Sequence, residues 1–207
     1  MAAVETQAPP RLYRRLGRRY ARPAVEGMIQ WPRVFKYRVL STCRRVEGAP
    51  IVLQPILLVG PGRIAFGDGV LFGWRGSPLF YTGYSHLEVA TPSAAIEIGA
   101  RTEFNNNVFL KSDGGGIRIG RDCLFGPYVE ILDSDFHDTD PALRRSGSHR
   151  PAAVEIGDNV FVGTGARVLK GAAIGSDSVI GAGAVVTGEI PAGVVAAGNP
   201  ARVVREL

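Results

Sequence analysis

Between Leu132 and Glu155 the chain concentrates residue types able to do chemistry: His137 sits among Asp135, Asp138 and Asp140, with Arg144, Arg145 and Arg150 further on. Unperturbed imidazole titrates at about pH 6.5, so a lone histidine here suits a general base that takes a proton from a hydroxyl or amine near neutrality. A carboxylate accepting the other ring N–H fixes the tautomer and stabilises the imidazolium. Spacing does not choose among the three aspartates, and Asp135 is carried forward with His137 as the candidate catalytic pair. Blander readings stand beside this one. A loop histidine can simply tether its loop, an acidic cluster can be a solvated face, and exposed arginines are more often solvated than phosphate-bound. A metal site is weakly supported, because His86, His137 and His149 are far apart and no second histidine stands at ligand spacing.

Such groups need a scaffold, and the chain supplies one in sixes. Aliphatic residues recur at Ile156, Val162, Val168, Ile174, Ile180 and Val186, and the positions between them at Val160, Ala166, Ala172, Ser178 and Ala184 are small or apolar. A helix repeats apolar residues every three or four positions and a half-buried strand every two, so a strict six means short strands joined by turns, a parallel β-solenoid. Gly157, Gly163, Gly175 and Gly181 follow the inward aliphatic, and Gly165, Gly171 and Gly183 lie further along the same sixes, marking corners. Upstream the sixes run through Ile98, Phe104 and Leu110, pause for three extra residues around Gly114, Gly115 and Gly116, and resume at Ile119, Phe125 and Ile131. From Ile131 to Ile156 is 25 residues, one six plus a 19-residue insertion. An insertion that leaves the phase intact must loop outward, and long loops on rigid scaffolds are where chemistry tends to reside. His137 lies in that loop.

The run IGDNVFVGTGARVLKGAAIGSDSVIGAGAVVTGEIPAGVVAAGNPARVV resembles the hexapeptide-repeat acyltransferases, and the likeness continues upstream through IGRDCLFGPYVEILDSDFH and IGARTEFNNNVFLKSDGG, covering residues 96–205. The resemblance implies an all-β fold, a left-handed parallel β-helix with three sixes per triangular coil. It also implies acetyl transfer from acetyl-coenzyme A, without a metal, in a homotrimer. In the family a histidine leaving the coil after a GPxVxI segment is the base; here Gly126–Pro127–Tyr128–Val129–Glu130–Ile131 leads to His137. A backbone N–H would stabilise the tetrahedral oxyanion. Asn106 and Asp113, with Asn105 beside them, match positions that meet acceptor hydroxyls, although asparagines also turn chains at left-handed corners. Thr164, Ala182, Thr187, Arg202 and Arg205 match positions along the coenzyme groove. Gly188 and Phe161 depart from the family, where a lysine and a tryptophan are common. No GxxxxGK[ST] phosphate loop is present.

The resemblance points to O-acetylation of a sugar hydroxyl in a bacterial surface polysaccharide or its precursor. An N-acetyltransferase of an amino sugar or small amine remains the alternative, followed by a zinc-dependent solenoid hydratase. The rest of the chain is compatible with this. Its 207 residues and 45% apolar content suit one core, Cys123 fits an inward core position, and two cysteines form no framework. With no apolar signal core at the N-terminus and no apolar run of membrane-span length, a cytoplasmic location is expected. Charge is uneven: residues 1–50 carry eleven Lys and Arg against three Glu, +8, leaving −3 for the remainder. Interleaved Tyr13, Tyr20, Trp31, Phe35 and Tyr37 leave open a helical cap over the solenoid end, contact with an anionic membrane surface at the inner face, or polyanion binding. No nucleic-acid motif accompanies the last. The expected organisation is a basic extension over 1–50, disordered to residue 10 and then partly helical with breaks at Pro23 and Pro32. A solenoid over 51–195 with its loop at 132–155 and a tail over 196–207 follow.

Overall fold

The computed structural model describes residues 11–147 and 149–207, with side chains from Val25 onward. The segment 1–10, expected to be disordered, lies outside the described residues. Three sheets of seven, eight and six strands, parallel but for the last strand of the second, form the faces of a triangular coil, and the chain visits the first, second and third face in turn. The register shows why the sequence repeats in sixes. Ile156 pairs with Ile174 on the first face, Val162 with Ile180 on the second and Val168 with Val186 on the third, so residues eighteen apart stack in adjacent coils.

The inward residues of these ladders, and the small residues between them, are buried. Fully burying an aliphatic side chain contributes about 1.5–3 kcal/mol, and here that gain recurs at each face of each coil. Along the inside of the second face the rings of Phe72, Phe104 and Phe125 stack at 4.7 and 4.6 Å, where the later coils hold Val162 and Ile180. Cys123 lies wholly inside, and burial raises its thiol pKa, which suits core filling over reactivity. Corner glycines serve two needs. A Cβ on Gly163 would stand 2.6 Å from the backbone nitrogen of Ala182 in the next coil, whereas Gly165 adopts φ 66°, in the left-handed region.

Both ends differ from the sequence expectation. One helix, α1 (Arg11–Leu40), runs through Pro23 and Pro32, correcting the expected breaks. Pro32 is exposed, so the Met28 carbonyl that loses its donor there has access to water. The first strand, Arg45–Glu47, already belongs to the first face, so the solenoid begins before residue 51. At the other end Arg202–Glu206 turns back as an antiparallel strand against Val194–Ala197. No described helix is long and apolar enough to cross a membrane.

Candidate active site on the third face

The third face is made by Ile56–Val59, Ser85–Val89, Phe109–Ser112, Glu130–Leu132, Arg167–Val168 and Val185–Val186. Its outward residues include His86, Glu88, Phe109, Lys111, Glu130 and Arg167. Burial lowers the pKa of His86, against the opposing pull of Glu88; its Nε2 lies 3.5 Å from Glu88 Oε2 without hydrogen-bonding alignment, and its ring meets Phe109 edge-on at 5.4 Å. Lys111 Nζ is 3.1 Å from Glu88 and 4.4 Å from the centre of the Phe136 ring, so a cation and an aromatic from the excursion close one side of the face.

The excursion leaves at the corner between the third and first faces and is clamped there at three levels. Asp133, fully buried, accepts hydrogen bonds from Ser112 Oγ, the Asp113 N–H and the Gly116 N–H, each 2.7 Å. Those contacts explain the three-residue pause in the repeat. The extra glycines let the returning chain pass close, since a Cβ on Gly115 would lie 2.7 Å from the Ala152 carbonyl carbon. In the coil before, Asp113 pairs with His149 Nε2, leaving the buried His149 Nδ1 without a hydrogen-bond partner. In the coil after, Lys170 Nζ pairs with Asp135 and lies 3.4 Å from the Arg150 carbonyl.

Held in this way, the excursion turns sharply before His137. Phe136 adopts φ 60°, an unfavourable conformation for a bulky residue and one that functional loops tend to retain. Asp138 and Asp140 accept backbone N–H bonds two residues on, at 2.8 Å each, building turns. His137 Nδ1 lies 3.1 Å from the Arg144 carbonyl oxygen. A carbonyl can only accept, so Nδ1 carries a proton, and in the neutral ring Nε2 keeps its lone pair. Of the three aspartates left open beside His137, Asp135 binds Lys170, while the Nδ1 contact of His137 is with a backbone carbonyl.

Apart from Arg202 and Arg205, the expected residues divide between the two corners that border the third face. Asp113, His137 and Thr187 belong to its corner with the first face; Asn105, Asn106, Thr164 and Ala182 belong to its corner with the second. Asn105, Asn106 and Asp113 do not form one acceptor cluster within the chain. Asn106 is fully buried, its Oδ1 accepting the Trp74 N–H at 2.8 Å and its Nδ2 reaching the carbonyls of Trp74, Ser77 and Pro78, so it tethers the segment 73–84. Asn105 accepts the Asn106 N–H at 2.7 Å and borders a groove on the second face with Trp74, Leu124 and Phe161. Asp113 is engaged by His149. Thr164 and Ala182 are exposed and adjacent in the stack, the Gly183 N–H donating to the Thr164 carbonyl at 2.8 Å. Arg202 and Arg205 are exposed on the final strand, beside the second face.

Residues missed in the sequence include Asp133, His149, Lys170, Lys111 and His86. Asp133 and Lys170 had a usable signal: each falls at the corner after a third-face strand, in successive coils. Among the described residues no group of three His, Cys, Asp or Glu is arranged to hold a metal ion.

Residues 153–188 match the family model of the bacterial transferase hexapeptide, six repeats. The repeat is that of the hexapeptide transferases. A galactoside O-acetyltransferase of Lactococcus lactis is 41% identical over 112 residues, 54% of this chain and 53% of that protein. A solved galactoside acetyltransferase in complex with coenzyme A is 36% identical, covering 58% of this chain and 63% of that one, with a TM-score of 0.51. A maltose O-acetyltransferase from Clostridium difficile 630 is 29% identical, covering 83% of this chain and 72% of that one, with a TM-score of 0.53. The chain spans just over half the length of the first curated relatives it matches. Its solenoid is the left-handed parallel β-helix of the hexapeptide-repeat acetyltransferases.

Proposed function

We propose that the chain is an acetyl-coenzyme-A-dependent O-acetyltransferase of a sugar hydroxyl, working as a homotrimer on a bacterial surface polysaccharide or its precursor at the inner membrane face. The observation that carries the reading is the His137 ring, whose Nδ1 faces the Arg144 carbonyl and whose Nε2 is left basic at the rim of the third face. The names of the galactoside and maltose O-acetyltransferases support the sugar hydroxyl. The exposed Thr164–Ala182 corner and the terminal arginines support a groove for the donor.

In this reading His137 Nε2 takes the acceptor's hydroxyl proton as that oxygen bonds to the thioester carbonyl carbon. The carbon–sulfur bond then breaks, and the imidazolium returns the proton to the departing thiolate, so an ester and a free thiol form with no net proton change. His137→Ala removes the base and lowers turnover by roughly two to four orders of magnitude, with the melting temperature unchanged. The check is acceptor-dependent thiol release from acetyl-coenzyme A over a panel of mono- and oligosaccharides, with treatment of the product in mild base. A base-labile product and a crippled variant are expected. An undiminished rate in the variant removes His137 from the chemistry, and a base-stable product moves the acceptor from hydroxyl to amine.

A further inference from the structure

The helix α1 is seated on the solenoid by its polar side. Gln30 Nε2 donates to the carbonyls of Phe80 at 2.9 Å and Leu53 at 3.2 Å, and Arg33 Nη1 donates to the Phe80 carbonyl at 3.0 Å. Tyr37 stacks on Tyr84 at 4.5 Å, and Tyr81 Oη lies 3.3 Å from Glu26. Glu26, Gln30, Arg33 and Tyr37 follow the three-four spacing of one helical face.

The opposite face repeats the same spacing with Met28, Trp31, Phe35 and Val39, which are 76%, 69%, 55% and 65% exposed. The Trp31 and Phe35 rings stack at 5.6 Å, so the stripe is a continuous apolar plate. This inverts the arrangement of a solenoid cap, which hides its apolar face and solvates its polar one. Exposed Lys36 and Arg38 lie on either side of the plate, and the helix as a whole carries nine Lys and Arg against one Glu.

We propose that α1 lies on the surface of an anionic phospholipid bilayer, with the Met28–Trp31–Phe35–Val39 plate inserted at headgroup level and the flanking cations on the headgroups. This deepens the membrane-face part of the proposed function and rests on it, yet its test needs no acetyl transfer. Charge selects the occupant. A second copy bringing the same helix would oppose nine cations with nine more, whereas an anionic surface neutralises them. Val25, Ile29 and Leu40 are also exposed to one side of the plate, and the docked polar face lies opposite it, an arrangement that suits lying in the interface over spanning it.

The test uses the full chain and two sets of vesicles, phosphatidylcholine alone and phosphatidylcholine with phosphatidylglycerol. Co-sedimentation is expected to be roughly tenfold stronger on the anionic vesicles and to weaken with salt. Trp31→Ser combined with Phe35→Ser changes exposed residues only. It is expected to lower binding about tenfold while circular dichroism and the size measured by light scattering stay the same, and Trp74→Ser, away from the plate, leaves binding intact. Equal binding to neutral vesicles, or undiminished binding by the double variant, overturns the proposal. A double variant that falls to a smaller assembly overturns it in favour of a second copy on this face. None of these outcomes bears on the acetyltransferase reading, which stands or falls on thiol release.

Discussion

The first and third faces are cut from the same coils, with the same inward ladders, and differ almost entirely outside. On the first face Glu47, Arg63, Glu97, Arg118 and Glu155 stand in successive strands, and each charge meets its neighbour: Arg63 lies 3.3 Å from Glu47 and also pairs with Glu97, and Arg118 is 3.3 Å from Glu97 and 3.0 Å from Glu155. From Glu47 to Glu155 each charge of this ladder is answered within the chain, at positions open at least in part to water. The third face carries a half-buried histidine out of alignment with its carboxylate, a lysine over an aromatic ring, and the excursion with His137 at its edge. The third face pairs charges too, Lys111 with Glu88 and Arg167 with Glu130, so what sets it apart is the unaligned histidine and the clamped excursion rather than a lack of ion pairs.

The largest expected effect separating the two lies beneath the third face. Asp133→Ala leaves the donors of Ser112, Asp113 and Gly116 without their buried acceptor, a loss of about 3–5 kcal/mol by the usual cost of stranded polar groups. The excursion should then lift from its corner. Limited trypsin digestion checks this, because Arg144 and Arg145 are exposed within it, and cleavage there should run well ahead of cleavage in the wild type. A melting temperature and cleavage rate equal to wild type would mean that the buried carboxylate does not hold the loop.

A smaller effect should come from His86. Burial lowers its pKa, so the unfolded chain binds this proton more readily than the folded one. The neutral ring is therefore fully tolerated above its unfolded pKa, and stability is lost as the pH falls below that value toward the lower folded one. His86→Gln should flatten the decline in melting temperature between about pH 7 and pH 5. An identical decline in the variant would assign the acid sensitivity to other groups. No comparable change is expected from any residue of the first-face ladder over that range, since it contains only carboxylates and arginines.

These contrasts also explain what the chain discloses before folding. From Ile156 to Val186 each coil is an eighteen-residue copy whose inward positions are local in sequence, so period, corners and the phase-preserving excursion can all be read directly. The early coils cannot be read in this way, because their shape rests on pairs far apart: Gln30 with Phe80, Gln54 with Asn107, Asn106 with Trp74. The same distance hides half of the site. His137 stands out by residue type, but its partner is the backbone of Arg144, which no side-chain pattern marks, and Asp135 answers Lys170, thirty-five residues on. The continuous helix was hidden for another reason. Two prolines predict breaks where the helix, docked through Gln30 and Arg33, absorbs the lost bonds.

The smallest effect is expected on the first face, where charges are most numerous. Arg118 is held between Glu97 and Glu155, and both raise its pKa. Its side chain is 64% exposed, however, so water and salt screen most of that attraction. Arg118→Ala should cost less than about 1 kcal/mol, and the cost should shrink further in high salt. Denaturant titration at two salt concentrations measures both. A loss as large as that of Asp133→Ala would break the comparison, because it would make the ladder a clamp in its own right. The expected near-silence would instead sharpen it, leaving the buried ties under the third face as the ones that hold the candidate site.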